Sequence, residues 1–176
     1  MRADAERNRA KVLEAAWRAF AAEGLKVPVH EIARRAGVGT GTVSRHFPTK
    51  ESLFEAVLLS RVEAIVERAE SLLEAGDPGA AFFDFFAGLV AEGAASQGLA
   101  EALIGAGFDL EAISTGDDYN VMGLLQRLLV RAQEAGAVRR DAEISDLKAL
   151  IGSCTSRRDE AARERMVAIV QAGLRP

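Results

Sequence analysis

The sequence predicts an all-α protein of about nine helices, and three observations support this fold class. Ala, Leu, Glu and Arg are abundant among the 176 residues, and all four favour the helical state. Apolar residues recur at intervals of three and four positions in most segments, and no run of alternating β-branched residues predicts a strand. Glycine and proline separate these segments and mark where helices begin and end.

The predicted helices, in order, cover residues 8–23, 28–36, 40–47, 50–75, 80–92, 99–106, 119–135, 142–153 and 160–174. The first has one apolar face, and Gly24 is suited to end it as a C-cap. The second begins near Pro28, whose fixed φ suits a first helical turn. Gly37 suits a left-handed turn before the third helix, which Pro48 ends.

The fourth helix is long because its apolar residues keep the helical period as far as Leu72. Thr49 is expected to cap its first turn, with Ser52 in the place of the glutamate of a capping box. The Gly- and Pro-containing segment 76–79 then separates it from the later helices. No flexible linker precedes this break, so the fourth helix is expected to join two domains, residues 1–55 and residues 56–176.

Charge is distributed unevenly along the chain. Residues 1–55 carry a net charge of +3, with ten Lys and Arg against seven Asp and Glu, whereas the remainder carries −7. This asymmetry favours an anionic partner for the N-terminal part, although a small domain also shows such asymmetry by chance. The single cysteine excludes an internal disulfide, and no apolar run is long enough for a membrane span. We therefore expect a cytoplasmic protein without a membrane partner.

The chain carries no catalytic, metal-binding or cofactor-binding motif, so neither enzyme activity nor a cofactor is predicted. Its two histidines, His30 and His46, lie sixteen residues apart near the N-terminus. No zinc-protease, Cys-x-x-Cys, phosphate-loop or nucleophile-elbow pattern is present. The acidic pairs at 109/111 and 117/118 are interpreted as solvated loop residues.

The second helix, the turn at Gly37 and the third helix have the pattern of a helix-turn-helix. In that motif the second of the two helices enters the major groove of DNA. Its exposed face is predicted to present Thr40, Thr42, Arg45 and His46, whose side chains can bind phosphates or base edges. Because such geometry is sequence-degenerate, the residues alone leave open a solvated loop between two core helices.

Residues 8–57 resemble the N-terminal domain of the TetR family of transcriptional regulators. The matching residues are Ile32-Ala33, Ala36-Gly37-Val38, Thr42-Val43, His46-Phe47 and Lys50-Glu51, in register within VHEIARRAGVGTGTVSRHFPTKESL. The resemblance implies that the following residues contact DNA: Val29, Thr40, Gly41, Thr42, Ser44, Arg45, His46 and Lys50. Arg45 is expected to read a base edge, and His46 and Lys50 to bind phosphates. The alternative for His46 is packing on Trp17 or Phe20.

The sequence departs from the family pattern at two positions. Ser44 replaces a tyrosine whose ring, in relatives, packs on the domain while its hydroxyl reaches a phosphate. Pro28 replaces the serine or threonine that often caps the second helix. The basic residues at the N-terminus, Arg2, Arg7 and Arg9, either reach the DNA backbone or minor groove or remain solvated.

The resemblance implies a ligand-responsive regulator, a repressor that binds a palindromic double-stranded operator as a homodimer and is released by a small molecule. Helices five to nine would then form a ligand-binding and dimerising domain. The alternative is a ligand-binding or interaction module of the same fold with weakened operator binding, which Ser44 supports. Thr40, Arg45, His46 and Lys50 all remain and argue against that alternative.

Two sets of apolar residues are candidates for the ligand pocket and the dimer interface. The pocket candidates are Phe82, Phe86, Leu103, Phe108, Tyr119 and Met122, for which ordinary core packing is the alternative. The interface candidates, on the last two helices, are Leu147, Leu150, Ile151, Met166, Ile169, Val170 and Leu174. Burial of both faces within one chain is the alternative for this second set.

Overall fold

The computed structural model describes residues 2–105, 107 and 120–176, and of residues 2, 3, 98, 100, 102 and 103 it describes only the backbone. The helices are α1 (Arg2–Glu23), α2 (Val29–Ala36), α3 (Thr40–His46), α4 (Lys50–Leu73), α5 (Pro78–Gly105), α6 (Val121–Glu134), α7 (Ile144–Thr155) and α8 (Glu160–Leu174). No strand occurs within these described ranges. The predicted all-α fold is therefore confirmed.

The described ranges contain eight helices, one fewer than predicted, because the two helices expected at 80–92 and 99–106 are one continuous α5. Gly93 and Gly98 lie inside this helix and do not end it, because a glycine inside a helix costs only about 1 kcal/mol. Gly93 has a packing role instead. A Cβ atom there would lie 3.0 Å from Cγ2 of Thr155, so the glycine permits close approach of α5 and α7.

The first compact unit contains the residues up to Val62 and the last turns of α5 from Gly98. Its core is formed by α1 to α4 and the last turns of α5, and its fully buried residues include Val12, Ala16, Ile32, Val43, Leu53, Val57 and Leu99. Phe20 and Phe54 pack edge to face, with ring centroids 4.6 Å apart. The predicted domain boundary between residues 55 and 56 lies within α4, one residue before the buried Val57.

The second unit contains Glu63–Gln97 and the helices α6 to α8. Its core joins α5, α6 and α7, and its most deeply buried side chains are Phe82, Phe85, Phe86, Leu125, Leu128, Leu129 and Leu147. Arg68 of α4 pairs with Asp84 of α5 at 2.9 Å, beside Gly88, where a Cβ atom would approach the guanidinium to 3.2 Å. None of the described helices has both the length and the apolar character of a membrane span.

Candidate nucleic-acid interface

The turn between α2 and α3 is closed by Gly37, which has a left-handed φ of 68°. Its N–H donates to the carbonyl of Arg34 at 3.2 Å, and the N–H of Val38 donates to the carbonyl of Ala33 at 3.0 Å. These bonds satisfy carbonyls at the end of α2, as in a Schellman-type C-cap. Val38 packs against the core of the first unit. The predicted left-handed turn is confirmed, and it fixes the direction in which α3 leaves α2.

One face of α3 is anchored in the core and the other is exposed. Val43 is fully buried, and Phe47, which follows the helix, is 5% exposed. Thr40, Ser44 and Arg45 are exposed on the remaining surface. Because α3 has only seven residues, these two apolar anchors hold its whole length against α1 and α2. The exposed side of α3 therefore carries the short hydroxyl side chains of Thr40 and Ser44 and the long, positively charged side chain of Arg45.

The glycines around the start of α3 leave its backbone accessible. Gly39 precedes the helix as its N-cap, and the N–H of Thr42 donates to the Gly39 carbonyl at 2.9 Å. Apart from its chain neighbours and the backbone of α3, a Cβ atom at Gly41 would meet no atom within 4 Å. No side chain therefore covers the backbone of α3 at residue 41, and another molecule can approach the helix closely at this point.

The start of α4 is capped by a reciprocal pair of hydrogen bonds. The N–H of Ser52 donates to Oγ1 of Thr49 at 3.0 Å, and the N–H of Thr49 donates to Oγ of Ser52 at 3.2 Å. This confirms the predicted cap. Lys50, in the first turn, places its Nζ 5.7 Å from the centroid of the Phe54 ring. A helix N-terminus with a nearby lysine favours anions such as phosphate.

The eight candidate DNA contacts all lie in the first unit, on α2, α3 and the first residue of α4. Thr40, Gly41, Ser44 and Arg45 are exposed, and Val29, Thr42, His46 and Lys50 are half-buried. The ring of His46 lies 6.1 Å from that of Phe47 and is tilted by 45°. His46 thus packs on its own neighbour while part of its ring remains accessible.

The arginines at the end of α2 are engaged in ion pairs. Glu31 accepts hydrogen bonds from Arg34 at 2.7 Å and from Arg35 at 2.8 Å, and Arg35 also pairs with Glu23 of α1. The hydrogen bonds from Arg34 and then Arg35 lower the pKa of Glu31 to about 2. Glu31 therefore stays ionised at neutral pH and balances these cations, so Arg45 is the clearer candidate for reading DNA.

Sequence reasoning missed one contact beside α3. Helix α1 begins at Arg2 rather than near residue 8, so the basic N-terminal residues are helical rather than an extended arm. Arg7 pairs with Asp4 one turn away. The guanidinium carbon of Arg9 instead lies 5.9 Å from the centroid of the Phe47 ring. Only the fold brings residue 9 to residue 47, so helical periodicity gave no sign of this contact.

The pocket candidates fall in different environments. Phe82 and Phe86 are fully buried in the core of the second unit, with ring centroids 6.4 Å apart. Met122 is 36% exposed on α6. Phe108, Tyr119 and the side chain of Leu103 lie outside the described residues.

The interface candidates on α7 and α8 separate into two groups. Leu147 is fully buried and Leu174 is 6% exposed within the single chain, where both belong to the core of the second unit. Ile169 is 72% exposed. Leu150, Ile151, Met166 and Val170 are half-buried. The exposed face also includes small residues that an apolar pattern does not detect, among them Ala149, Gly152, Ser153 and Ala172.

Comparison with known proteins agrees with this architecture. Residues 12–57 match the family model described as bacterial regulatory proteins of the tetR family. Residues 77–176 match the model for the C-terminal domain of SbtR-like transcriptional regulators.

Two solved structures are similar over nearly the whole chain. One is a TetR transcription regulatory protein from Mycobacterium vanbaalenii, with 50% identity, a TM-score of 0.85 and 99% of each chain covered. The other is the TetR transcriptional regulator SCO0520 from Streptomyces coelicolor, with 33% identity and a TM-score of 0.80, covering 96% of this chain and 98% of that one.

A curated relative matches over the N-terminal region alone. The HTH-type transcriptional regulator SrpR of Pseudomonas putida is 42% identical over 60 residues, which is 34% of this chain and 28% of SrpR. The match thus spans less than a third of that relative's length.

Proposed function

The chain is a transcriptional regulator of the TetR family, and from that premise we propose that it represses genes by binding a palindromic DNA operator as a homodimer. A small molecule bound in the helical C-terminal unit would release it. Catalysis has no place in this proposal, since the family consists of transcriptional regulators.

The observation that carries the proposal is the surface of α3. Val43 and Phe47 hold the helix in the core, while Thr40, Ser44 and Arg45 are exposed around the bare backbone of Gly41. A helix with small side chains can lie deep in the major groove, where arginine can donate two hydrogen bonds to guanine. Thr40, Thr42 and Ser44 would bind phosphates or base edges, and Val29, His46 and Lys50 would meet the DNA backbone.

A homodimer is proposed from the exposed face of α7 and α8. Ile169 is 72% exposed, and Cβ atoms built on Gly152 or Gly173 would meet nothing within 4 Å. Small residues let helices approach closely, and two helices from each copy would form a four-helix interface. Leu150, Ile151, Met166 and Val170 would line its edges. A two-fold dimer predicts two half-sites separated by a whole number of duplex turns.

The proposed response to the ligand is a shift of α4. This helix contributes Leu53 and Val57 to the first core, and its Arg68 pairs with Asp84 in the second unit. The proposed pocket involves Phe82, Phe86 and Met122, together with Leu103, Phe108 and Tyr119. A ligand there would act only through its different affinities for the DNA-binding and released states.

The test is selection of binding sequences from a random pool of double-stranded DNA by the purified protein. We expect recovery of a palindrome, with an affinity that falls steeply as salt concentration rises, since phosphate contacts release counterions. Recovery of sequences without two-fold symmetry would contradict the dimeric operator. A ligand that saturates the protein without changing operator affinity would contradict the proposed response.

The second candidate function is an interaction module with weakened operator binding. Ser44 favours it, because the serine side chain is shorter than the family tyrosine and its hydroxyl reaches less far. An Arg45→Ala, Lys50→Ala double variant discriminates between the two. If the protein binds an operator through α3, this double variant should lose most of its affinity for the selected duplex. Equal, weak binding by the variant and the unmodified protein would support the module instead.

A further inference from the structure

The aromatic ring of Phe47 holds a cation at the end of α3. The guanidinium carbon of Arg9 lies 5.9 Å from the ring centroid, and the ring is 5% exposed because its other side faces the core. Arg9 itself is exposed. A cation over an aromatic face at this distance is attracted by the ring quadrupole. The contact restricts where the guanidinium of Arg9 can lie while its N–H groups remain accessible.

Arg9 differs from several other arginines of the first unit. Arg7 pairs with Asp4, Arg18 pairs with Glu14, and Arg34 pairs with Glu31. No carboxylate of the described residues pairs with Arg9, whose contact is with a ring. An aromatic ring leaves the cation its full charge and its hydrogen-bond donors, so Arg9 can still bind an anion.

The position of Phe47 relative to α3 identifies the anion. A helix of seven residues is about 10 Å long, and the major groove is about 12 Å wide. A helix in that groove is flanked on both sides by phosphate backbone, so a cation just beyond its last residue can reach a phosphate while Arg45 within the helix reaches a base edge. Phe47 directly follows α3 at that end. The geometry points to Arg9 as a phosphate-binding residue of the operator complex, held in place by Phe47.

This inference rests on the proposed operator binding and adds a residue outside the helix-turn-helix. Lys50 lies over the ring of Phe54 at 5.7 Å, so a ring-held cation stands on each side of the α3–α4 turn. Ser44 keeps a hydroxyl but is shorter than the family tyrosine, and Arg9 adds a phosphate contact from α1. Because the ring already restricts the side chain, less conformational entropy is lost when the phosphate binds.

The test measures how the affinity for the selected operator duplex depends on salt concentration. A plot of log affinity against log salt concentration has a negative slope, and each lost phosphate contact reduces the magnitude of that slope by about 1. Arg9→Ala is therefore expected to reduce the magnitude by about 2 in a dimer. It is also expected to weaken binding of the operator and of a scrambled duplex by the same factor. Arg9→Lys keeps a cation and is expected to retain the slope. Arg7→Ala removes the same charge two residues away and serves as the matched control.

The outcomes separate this inference from the proposed function. An unchanged slope in Arg9→Ala, or an equal decrease in Arg7→Ala, overturns the role of Arg9 while operator binding stands. Failure of the unmodified protein to bind any duplex overturns both. A loss in Arg9→Ala that is confined to the operator also overturns the phosphate contact, since a base contact would then be responsible. Thermal unfolding of each variant verifies that the fold is retained.

Discussion

The guanidinium carbon of Arg61 lies 4.8 Å from the centroid of the Trp17 ring, and this contact joins α4 to α1 within the first unit. Arg61 also pairs with Glu14 of α1 at 3.8 Å, and its side chain is 28% exposed. A partly shielded cation–π contact resists salt better than a solvated ion pair. If α4 moves when a ligand binds, as proposed above, this contact is expected to make α1 follow.

Replacing Arg61 by methionine tests the contact, because methionine keeps an unbranched apolar stem and removes the charged guanidinium. We expect Arg61→Met to lower the free energy of unfolding by about 1 kcal/mol. It should also shift the fluorescence emission of the folded protein, since Trp17 is the single tryptophan. Arg18→Met, which removes another arginine paired with Glu14, is the control. Identical emission from Arg61→Met and the unmodified protein would contradict the stacking.

Gly41→Ala is expected to separate stability from DNA binding. A methyl group at residue 41 meets no atom within 4 Å, and alanine favours the helical state over glycine by about 1 kcal/mol. The free energy of unfolding should therefore stay the same or rise. Operator affinity, measured by titration of the selected duplex, should fall because the methyl group keeps the backbone of α3 away from the bases.

Gly37→Ala provides the contrast for that experiment, because residue 37 has a φ of 68°. Alanine in a left-handed conformation costs about 1–2 kcal/mol, so this variant should lose stability. If Gly41→Ala destabilised the protein as much as Gly37→Ala does, close approach to DNA would not be the reason for glycine at residue 41.

Local interactions are the part of this fold that the sequence predicted well. The cap formed by Thr49 and Ser52 joins residues three apart, and the turn at Gly37 depends on the backbone of that residue. Both are encoded within a few positions, so spacing and residue type predict them. The exposed face of α3 follows in the same way from the burial of Val43 and Phe47.

Contacts between distant residues could not be predicted in this way. The approach of Arg9 to Phe47 and of Gly93 to Thr155 depends on how helices pack, which a single sequence does not specify. Leu147 illustrates the same limit, because it belongs to an apolar face yet is fully buried within its own chain. Apolar periodicity identifies a face that will be buried, but it does not identify the partner that buries it.

Restoring the family tyrosine at residue 44 is expected to add a phosphate contact. Ser44 is exposed on α3, so a larger side chain has room there. Ser44→Tyr should tighten operator binding through a hydrogen bond to a phosphate, and because the hydroxyl is uncharged it should leave the salt dependence of log affinity unchanged. Ser44→Phe adds the ring without the hydroxyl and should not tighten binding. Equal affinity of the two variants for the selected duplex would show that residue 44 does not face a phosphate.

The ion pairs of Glu31 predict a stability change at acidic pH. Its pKa in the folded protein is about 2 against an ordinary value of 4.5, chiefly because Arg34 and then Arg35 donate hydrogen bonds to it. Since the folded pKa is lowered, the stabilisation is fully present above about pH 4.5 and is lost as the pH falls toward 2. The difference in Tm between the unmodified protein and Glu31→Gln should therefore shrink across that range.

Glu67→Gln is the control for this titration, because Glu67 is an exposed residue of α4 far along the chain from the α2 ion pairs. The difference in Tm between Glu67→Gln and the unmodified protein should be the same at every pH. A difference for Glu31→Gln that persisted undiminished at the lowest pH would mean that packing, and not ionisation, accounts for its effect.

The exposed isoleucine of α8 should control the oligomeric state. Ile169 is 72% exposed in the single chain, and burying an isoleucine contributes about 1.5–3 kcal/mol. Two-fold symmetry places both copies of this side chain in the interface, so Ile169→Glu removes two apolar contacts and introduces two carboxylates. We expect Ile169→Glu to sediment as a monomer and to keep the circular dichroism of a helical protein. Its affinity for the palindrome should fall, because a single DNA-binding unit then binds a single half-site.

Two controls distinguish loss of the dimer from general damage. Val130→Glu changes an apolar residue of α6 that is 39% exposed, and it should leave a dimer with undiminished operator affinity. Leu147→Glu places a charge in the core, where an unpaired carboxylate is strongly destabilising, so this variant should unfold. If Ile169→Glu remains dimeric, the dimer interface does not include this face of α8. If Val130→Glu dissociates as readily as Ile169→Glu, the interface is not specific to α7 and α8, and other helices join the two DNA-binding units.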